Sequence, residues 1–466
     1  MMKRLLFLAA VLVAAPAVSA QSQFTFDSVF PGDTLDTDGN GMHGVAVDRD
    51  GKVFLQPFGG TFAFRFPGGD DDSVLIGTTA FKELNIRQIF VFNADGTAND
   101  TLTYLNGAVQ DTLGLYKVGV DATSGRDIYD TRSGRGLRYC EAENAVYVSQ
   151  FDTIYKINAE TLEAEAKLLP FGANVSLGQV GVDDECNVYA NAVVGGNPIR
   201  IYSPDLDGTP TTVTDASSTF SRGVTASPDG NTVFETDFEN TYTIVHQRAD
   251  EFSDFDSLGV TFRGMRTESA AFQPETGYLW ASSGNPLNAP NDSTYSYAWS
   301  PNTWYAFRMD DIFNEDGTVN EEVMPRDSLK ANLIGGGRPR GIAFTQDGKV
   351  AYTAFFNSPG VVQKFVSQAV EVEQRPGEAL AFALEPNQPN PFTGTTTIPF
   401  SLKEAGHATL RILDTTGREV ATLADEAFPS GNFTATFDAS ALAAGVYIYT
   451  LDVEGERMSR RMLVVR

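Results

Sequence analysis

Three stretches of the chain decide its fold: GVAVDRDGKVFLQ at 44–56, GVTASPDGNTVFET at 223–236 and GIAFTQDGKVAYTA at 341–354. Each begins with a short apolar run, turns at an Asp-Gly pair and ends in a run rich in Val, Tyr or Phe. Short apolar runs on either side of an Asp-Gly turn are typical of two antiparallel strands. The stretches therefore predict one strand–turn–strand unit that recurs along the chain.

Weaker copies of this unit occur at 136–150, 179–192 and 269–282. Several successive copies are spaced by roughly 40–45 residues, which is the spacing of propeller blades. A blade is a four-stranded antiparallel sheet, and a ring of blades buries the faces that one sheet leaves exposed. Six copies predict an all-β fold with a six-bladed β-propeller. A seventh blade around 106–130 stays open as an alternative.

The repeated unit resembles the blades of NHL-like and gluconolactonase-like propellers, which also begin with a Gly-Ile/Val-Ala strand and an Asp-x-x-Gly turn. The resemblance covers most of residues 43–366. It implies an architecture rather than an activity, because a propeller can host many functions. The strand-like segment 23–30 is expected to complete the last blade and close the ring.

The N-terminus predicts an export signal. Lys3 and Arg4 give a basic start, 5–18 is an apolar core, and Ala20 ends a small-residue cleavage site. The apolar core is shorter than the roughly 20 residues that cross a bilayer, so no transmembrane segment is expected. We therefore expect a signal peptide at 1–20 and export by the Sec route to the periplasm.

The C-terminal part predicts a second β domain. It opens with NQPNPF at 387–392, continues through segments of alternating apolar and polar residues, and ends with RRMLVVR at 460–466. This alternation between Gly and Pro turns describes about seven short strands in an immunoglobulin-like β-sandwich. The predicted domains are the signal peptide at 1–20, the propeller at 21–366, a linker at 367–383 and the C-terminal domain at 384–466.

Four ordered motifs of this domain resemble the type A sorting domain of type IX secretion cargo. Their residues are Pro389, Asn390, Pro391 and Phe392, then Gly417, Arg418 and Glu419, then Gly445, Val446 and Tyr447, and last the basic-then-aliphatic final strand. The resemblance implies recognition by the type IX translocon and secretion to the medium or the outer cell surface. A plain immunoglobulin-like module that binds carbohydrate or spaces domains is the alternative.

Charge and cysteine content narrow the choice of partners. The formal net charge is −26, and the acidic residues are spread along the chain. Nucleic acid is not expected as a partner, because binding to phosphates needs a basic surface. Cys140 and Cys186 fall on turns of adjacent predicted blades and are candidates for a disulfide in an oxidising compartment, with two separate thiols as the alternative.

The candidate site lies at one mouth of the propeller channel, where innermost strands begin and second-to-third turns lie. The predicted strand starts are His43, Arg135, Arg222, Arg266 and Arg340, with Arg338 nearby. The turns supply Phe58, Phe151, Asp152, Asp237, Phe238, Asn240, Phe356 and Asn357. The ligand-binding candidates are His43, Arg135, Arg222, Arg266, Arg340, Phe151, Asp237, Phe238 and Phe356.

Converging Arg side chains would form a positive well suited to a carboxylate, sulfate or phosphate group, with Phe faces against a sugar or peptide. The alternative is that these Arg residues pair with acids of neighbouring blades. No cofactor is predicted. The turn DTDGNG at 36–41 has calcium-like spacing, but an EF-hand acid is missing because position 47 is Val. A flexible turn entering the first blade is therefore expected, with bound calcium as the alternative.

These observations predict an exported or surface-attached propeller that binds an extracellular ligand, such as an anionic carbohydrate or peptide. One alternative is a hydrolase or lyase that acts on a polymer or lactone in the channel; another is a structural or adhesive surface protein. Catalysis has little support, since the chain has three His residues and none of the G-x-S-x-G, H-E-x-x-H or Walker motifs.

Overall fold

In a computed structural model, the chain divides into two compact units, Met1–Ala369 and Val370–Arg466. The division falls inside the segment 367–383 that was predicted as a linker, most of which lies outside the described residues. The structure describes residues 24–31, 41–59, 62–65, 74–76, 79–81, 83–86, 88–102, 104–113, 115–125, 127–131, 133–274, 276–284, 299–314, 316–331, 338–356, 362–367, 382–384, 387, 389–390, 392–403, 405–414, 418–440, 442–453 and 456–465. The predicted signal peptide and most of the DTDGNG turn therefore lie outside the described residues.

Six four-stranded antiparallel sheets make up most of the first unit. Sheet 1 comprises Met42–Val47, Val53–Pro57, Ile89–Phe92 and Ala98–Leu102. Sheet 2 comprises Gly134–Cys140, Ala145–Gln150, Thr153–Asn158 and Ala164–Leu168. Sheet 3 comprises Gly181–Val182, Val188–Ala190, Ile199–Tyr202 and Thr211–Thr214.

The other three sheets follow the same pattern. Sheet 4 comprises Ser221–Ala226, Thr232–Asp237, Tyr242–Gln247 and Asp256–Thr261. Sheet 5 comprises Thr267–Phe272, Leu279–Ser283, Thr303–Phe307 and Asp327–Lys330, with a one-turn helix at Met309–Ile312. Sheet 6 comprises Arg338–Phe344, Val350–Phe356, Val362–Ser367 and the N-terminal strand Phe24–Phe30.

The first strands of the six sheets form a closed ring. Each first strand packs beside the first strands of the two neighbouring sheets, and Arg338–Phe344 of sheet 6 packs beside Met42–Val47 of sheet 1. The N-terminal strand Phe24–Phe30 pairs antiparallel with Val362–Ser367, as the sequence predicted. The two ends of the ring are thereby held in one sheet. This is a β-propeller-like, all-β fold.

Additional strands come from an insertion within sheet 1 and from the connection between sheets 1 and 2. Leu115–Val120, Asp127–Thr131, Val74–Ile76 and Thr79–Phe81 form a separate four-stranded sheet, Phe62–Arg65 pairs with Glu83–Ile86, and Tyr104–Leu105 pairs with Asp111–Thr112. The first strand of sheet 2 packs directly beside that of sheet 1. The segment around 106–130 therefore forms this separate structure rather than an inner strand between them.

The glycine at the start of each strong sequence copy lets neighbouring inner strands approach closely. A Cβ atom on Gly44 would lie 2.8 Å from the backbone nitrogen of Leu137 in sheet 2. One on Gly223 would lie 2.9 Å from the carbonyl oxygen of Gln179. Because real Cβ atoms do not approach backbone this closely, the recurring glycine is a packing requirement of the ring.

A covalent bond links sheets 2 and 3. Cys140, at the end of one inner strand, forms a disulfide with Cys186, and their Cα atoms are 5.6 Å apart. Lys156 of sheet 2 is buried nearby in the same pair of sheets, with its Nζ 2.8 Å from Glu143 and 2.9 Å from Asp205. These contacts hold adjacent sheets together independently of their apolar faces.

The second unit consists of two sheets around one core. Phe382–Leu384, Thr395–Leu402 and Gly431–Asp438 form a three-stranded sheet. Glu419–Phe428, Gly406–Leu413, Gly445–Val453 and Glu456–Val464 form a four-stranded sheet. Alternate residues of both sheets, such as Phe400, Leu410 and Tyr449, are buried in a shared apolar cluster. This alternation is the pattern that predicted the strands.

Candidate functional site

An irregularity near the start of the inner strands creates the candidate site. In sheets 1, 2, 4, 5 and 6 the register between the first and second strands shifts near this point. The residues at these shifts are His43, Arg135, Arg222, Glu268 and Arg340. A β-bulge redirects a side chain that would otherwise follow the strand alternation. The bulges thus bring side chains from different sheets to one place.

Sheet 3 has a shortened inner strand and contributes Gln179 to the same place. Gln179 lies between Leu177, which bridges to Ala192, and the short strand Gly181–Val182. Its side chain packs on Gly136 of sheet 2, where an added Cβ would lie 2.5 Å from Gln179 Cγ. Each of the six sheets therefore supplies one side chain at this position.

These six side chains, with Leu177 and Val193, line a pocket of about 290 Å³ that includes open space at its mouth. The enclosed part has room for a water-sized group rather than a sugar ring. A large ligand would therefore place only one small group inside.

One strand-start prediction requires correction. The repeat alignment placed Arg266 at the pocket position of sheet 5, but the inner strand begins at Thr267 and its bulge contains Glu268. In this degenerate copy the pocket residue therefore lies two positions after Arg266. The strand pairing shows this displacement, which the sequence alignment does not. Arg266 instead has its guanidinium 5.4 Å from the ring centre of Phe238.

Glu268 is the single carboxylate among the side chains that line the pocket. Its side chain is fully buried, and Arg340 and Arg222 both pair with its Oε2 atom, Arg222 Nε at 3.3 Å. Arg135 brings a third guanidinium to the same pocket. The lining thus carries more positive than negative charge, and the predicted pairing of Arg residues with a neighbouring acid is present as well.

Burial, and then the neighbouring positive charges, shift the pKa values of the groups in this pocket. Burial, followed by repulsion from Arg222 and Arg135, holds the pKa of Arg340 well below its usual value. Burial and then Arg338 lower the pKa of Arg222 to about 10. Burial, with repulsion from these cations, also lowers the pKa of His43 well below its usual value, so His43 is neutral at pH 7.

Phenylalanine rings pack against the cations. Arg135 lies 5.3 Å from the ring centre of Phe58 and 5.6 Å from that of Phe151. Arg222 lies 4.6 Å from Phe238, and Arg340 lies 4.9 Å from Phe356. Cation–π contacts fix the guanidinium planes without neutralising their charge.

The structure places the remaining candidates as follows. Phe356 also packs on His43, with ring centres 5.9 Å apart. Asp237 is buried, and its carboxylate accepts hydrogen bonds from the backbone and side-chain nitrogens of Asn240, so it holds its own turn. Asp152 accepts a hydrogen bond from the backbone nitrogen of Asn174. Asn357 lies outside the described residues.

Sequence reasoning missed Arg138, which follows Arg135 on the same inner strand. Its guanidinium donates to the carbonyl oxygen of Ala270 in sheet 5, so the side chain reaches from sheet 2 to sheet 5. Burial lowers the pKa of Arg138 to about 10. The signal in the sequence was an Arg at the third position after a strand start, where the other copies have small or apolar residues.

In the second unit, motif residues attach the final strand to the start of the domain. The backbone nitrogen of Leu463 donates to Asn390 Oδ1 at 2.8 Å. Phe392 and the final strand exchange backbone hydrogen bonds, with Phe392 N to Leu463 O at 3.0 Å and Val465 N to Phe392 O at 2.9 Å. The Pro-Asn-Pro-Phe motif therefore has a structural task in this unit.

Other motif residues also hold turns. Arg418 pairs with Asp414 at 2.9 Å, and the Tyr447 hydroxyl donates to the carbonyl oxygen of Ala443. Gly445 has a φ of 154°, which favours glycine. Pro391 and Gly417 lie outside the described residues.

Sequence reasoning missed Asn387, whose buried amide donates to Pro389 O and Thr396 Oγ1.

Residues 388–465 match the family model of the secretion system C-terminal sorting domain. The chain carries a Por secretion sorting domain. A sorting domain of this family implies recognition by the type IX secretion system and points to secretion to the cell surface. No curated protein matches the chain in sequence.

Several solved structures match the chain at low similarity. A chain of the mitotic checkpoint complex is 11% identical, with a TM-score of 0.42, over 78% of this chain and 98% of its own length. Virginiamycin B lyase from Staphylococcus aureus is 13% identical, with a TM-score of 0.41, over 74% of this chain and 99% of its own. A streptogramin B lyase has 11% identity and a TM-score of 0.41, over 73% of this chain and 97% of its own. Likenesses of this size carry no statement about activity.

Within the described residues, no helix is long and apolar enough to cross a membrane. The same residues hold no group of three or more His, Cys, Asp or Glu side chains that could bind a metal ion.

Proposed function

We propose that this chain is exported by the Sec route and delivered to the cell surface or the medium by its sorting domain, and that its ring pocket binds an anionic ligand there. In this proposal the six sheets are the blades of a six-bladed propeller, and the sorting domain is an immunoglobulin-like sandwich. The closed ring of six inner strands supports the first assignment, and the two sheets around one core support the second.

One observation carries the binding proposal: Arg135, Arg222 and Arg340 converge on a pocket whose lining includes one carboxylate, Glu268. Buried cations lower one another's pKa values here, so a bound anion would relieve their repulsion. Arg also presents planar N–H donors that suit carboxylate, sulfate and phosphate oxygens.

The enclosed space selects the part of the ligand that enters. An oxygen of a carboxylate or sulfate group can enter the enclosed part, whereas the rest of a carbohydrate or peptide ligand must remain in the open part of the pocket. The pocket therefore recognises an acidic end or substituent of an extracellular molecule.

The test is calorimetric titration of the full secreted chain with acetate, sulfate and phosphate, and then with acidic oligosaccharides. We expect binding of at least one small anion, weakened about tenfold or more in Arg222→Gln, because each charged hydrogen bond contributes roughly 1.5–3 kcal/mol. Arg326→Gln is the matched control, since Arg326 is half exposed and pairs with Asp311 outside the pocket. Absence of heat with every anion would reject the binding proposal.

A structural role is the competing interpretation, and the ion pairs of Glu268 with Arg222 and Arg340 favour it. In that case the Arg222→Gln chain would lose stability, and neither the variant nor the natural chain would bind an anion. Thermal unfolding recorded beside the titrations separates these outcomes.

The export proposal has its own test, which is deletion of 384–466 in the host that produces the protein. We expect the truncated chain to remain inside the outer membrane, while the intact chain reaches the surface or the medium. Surface delivery of the truncated chain would contradict the proposal.

A further inference from the structure

The pocket contains buried hydrogen-bond acceptors as well as cations, and a simple anion cannot satisfy both. Glu268 Oε1 is buried and accepts no hydrogen bond. Buried polar atoms are normally paired, so each exception in a pocket indicates a group that a ligand or ordered water supplies. The buried Glu268 Oε1 atom therefore indicates a ligand that has a hydrogen-bond donor.

His43 supplies a second acceptor. Its ring makes a hydrogen bond to the backbone of Arg135, and its Nδ1 atom is buried without a hydrogen-bond partner. A neutral imidazole has one N–H and one lone pair. Because Nδ1 has no hydrogen-bond partner, we assign the bond to the Arg135 backbone to the Nε2–H group, which leaves the lone pair on Nδ1.

Donors are present beside these acceptors. The side chain of Gln179 is buried, and its Nε2 donates no hydrogen bond; Arg340 Nε likewise has no hydrogen-bond partner. Gln179 and Arg340 line the same small pocket as His43 and Glu268. Donors and acceptors therefore line one pocket, whose enclosed part has room for a water-sized group and whose remaining space opens to solvent.

We propose that the pocket binds a small carboxylate, or the end of a larger one, that carries a hydrogen-bond donor on the carbon next to the carboxyl group. The α-hydroxy acids and α-amino acids share this chemistry. The carboxylate pairs with the arginines and Gln179, while the neighbouring hydroxyl or ammonium group donates to Glu268 Oε1 or His43 Nδ1. This inference rests on the proposed anion pocket and specifies what that pocket selects.

The experiment compares acetate, glycolate and glycine as ligands of the full chain by calorimetry or competition. Acetate has the carboxylate alone, glycolate adds a hydroxyl donor, and glycine adds an ammonium donor. We expect glycolate or glycine to bind about tenfold more tightly than acetate, because a site with buried polar atoms discriminates against a ligand that leaves them unpaired. Preference for glycine identifies the amino-acid class, and preference for glycolate the hydroxy-acid class.

A substitution tests whether the acceptor produces the preference. His43→Phe removes Nδ1 and retains a flat ring against Phe58 and Phe356. We expect the preference of glycolate or glycine over acetate to fall at least threefold in this variant. His407→Phe is the control, because the His407 ring is exposed in the sorting domain.

The outcomes separate this inference from the function on which it rests. Equal binding of all three ligands by the natural chain would overturn the inference and leave the anion pocket intact. Failure of all three, and of sulfate and phosphate, would overturn both. Because the comparison of ligands uses the natural chain, a folding defect in His43→Phe does not prevent a decision.

Discussion

The ring of six sheets and the sorting domain use their recurring residues in different ways. In the ring, the recurring residues are the glycines and Asp-Gly turns that allow sheets to pack, whereas the pocket-lining position varies among His, Arg, Gln and Glu. In the sorting domain, the motif residues are themselves structural, because Asn390 and Phe392 hold the final strand. Variation within a repeat thus marks the candidate site, while agreement with a motif marks the fold.

Removal of the disulfide should produce the largest difference between the two units. Cys140 and Cys186 are 46 residues apart, and closing a loop of this size restricts the unfolded chain by about 4 kcal/mol. Cys140→Ser with Cys186→Ser should therefore lower the unfolding free energy of the ring by roughly that amount, measured by denaturant unfolding. The transition of the sorting domain should not move. A loss below about 1 kcal/mol would show that the link adds little to the ring.

The next effect concerns the buried charge pair in the pocket. Arg340→Gln leaves Glu268 buried with a weaker partner, and breaking a buried pair costs about 3 kcal/mol. Arg326→Gln, which removes a half-exposed pair with Asp311, should cost about 0.5 kcal/mol. Adding Glu268→Gln to Arg340→Gln should recover part of the loss. If both Arg substitutions lower the unfolding free energy equally, the buried pocket pair contributes no more to stability than a surface pair.

A pH effect should distinguish the ring from the sorting domain. The folded ring holds the pKa of His43 well below its usual value. Below about pH 6.5 the imidazole is therefore protonated in the unfolded chain and remains neutral in the folded chain. Stability from this group is therefore complete above that pH and decreases as pH falls, by at most about 2 kcal/mol at pH 5. Unfolding curves of the natural chain and of His43→Phe should differ in this dependence. His407→Phe should retain it, and an unchanged slope in His43→Phe would show that His43 is not the source.

The smallest effects concern the sorting domain. Asn387→Ala removes a buried amide that donates to Pro389 and Thr396, and should cost about 1.5 kcal/mol in the stability of this unit. Asn390→Ala removes one exposed acceptor for Leu463 and should cost about 0.5 kcal/mol. Neither change should alter anion binding by the ring. A larger loss of stability in Asn390→Ala than in Asn387→Ala would mean that the exposed Asn390–Leu463 contact is the more important one for holding the final strand.

Much of the fold could be predicted because its causes are local. Alternating apolar residues around Asp-Gly turns give antiparallel strand pairs wherever they occur, and the recurring glycine after the bulge marks the inner strands. The closure of the ring by Phe24–Phe30 was also predictable from its strand-like pattern. The separate sheet that joins Val74–Ile76 to Asp127–Thr131 was not, because distant segments pair there in parallel without a turn signal.

The candidate site was only partly predictable. The strand starts His43, Arg135, Arg222 and Arg340 follow from the repeat alignment, and the structure brings all four to one pocket. Glu268 was missed because the copy in sheet 5 lacks the glycine that anchors the alignment, so the position was assigned to Arg266. Gln179 was missed for a similar reason, since its strand is shortened. Small errors in register move a side chain from the pocket to a neighbouring position.

The sequence by itself determined the β architecture, the two-domain order and the sorting domain, because periodic apolar patterns, turn residues and ordered motifs are local properties of the chain. Only the tertiary structure decided the charge balance of the pocket. Glu268 meets Arg340 and Arg222 from two other sheets, and Arg138 reaches Ala270 across sheets. Such contacts depend on bulge geometry and on the closure of the ring, which bring together residues far apart in sequence.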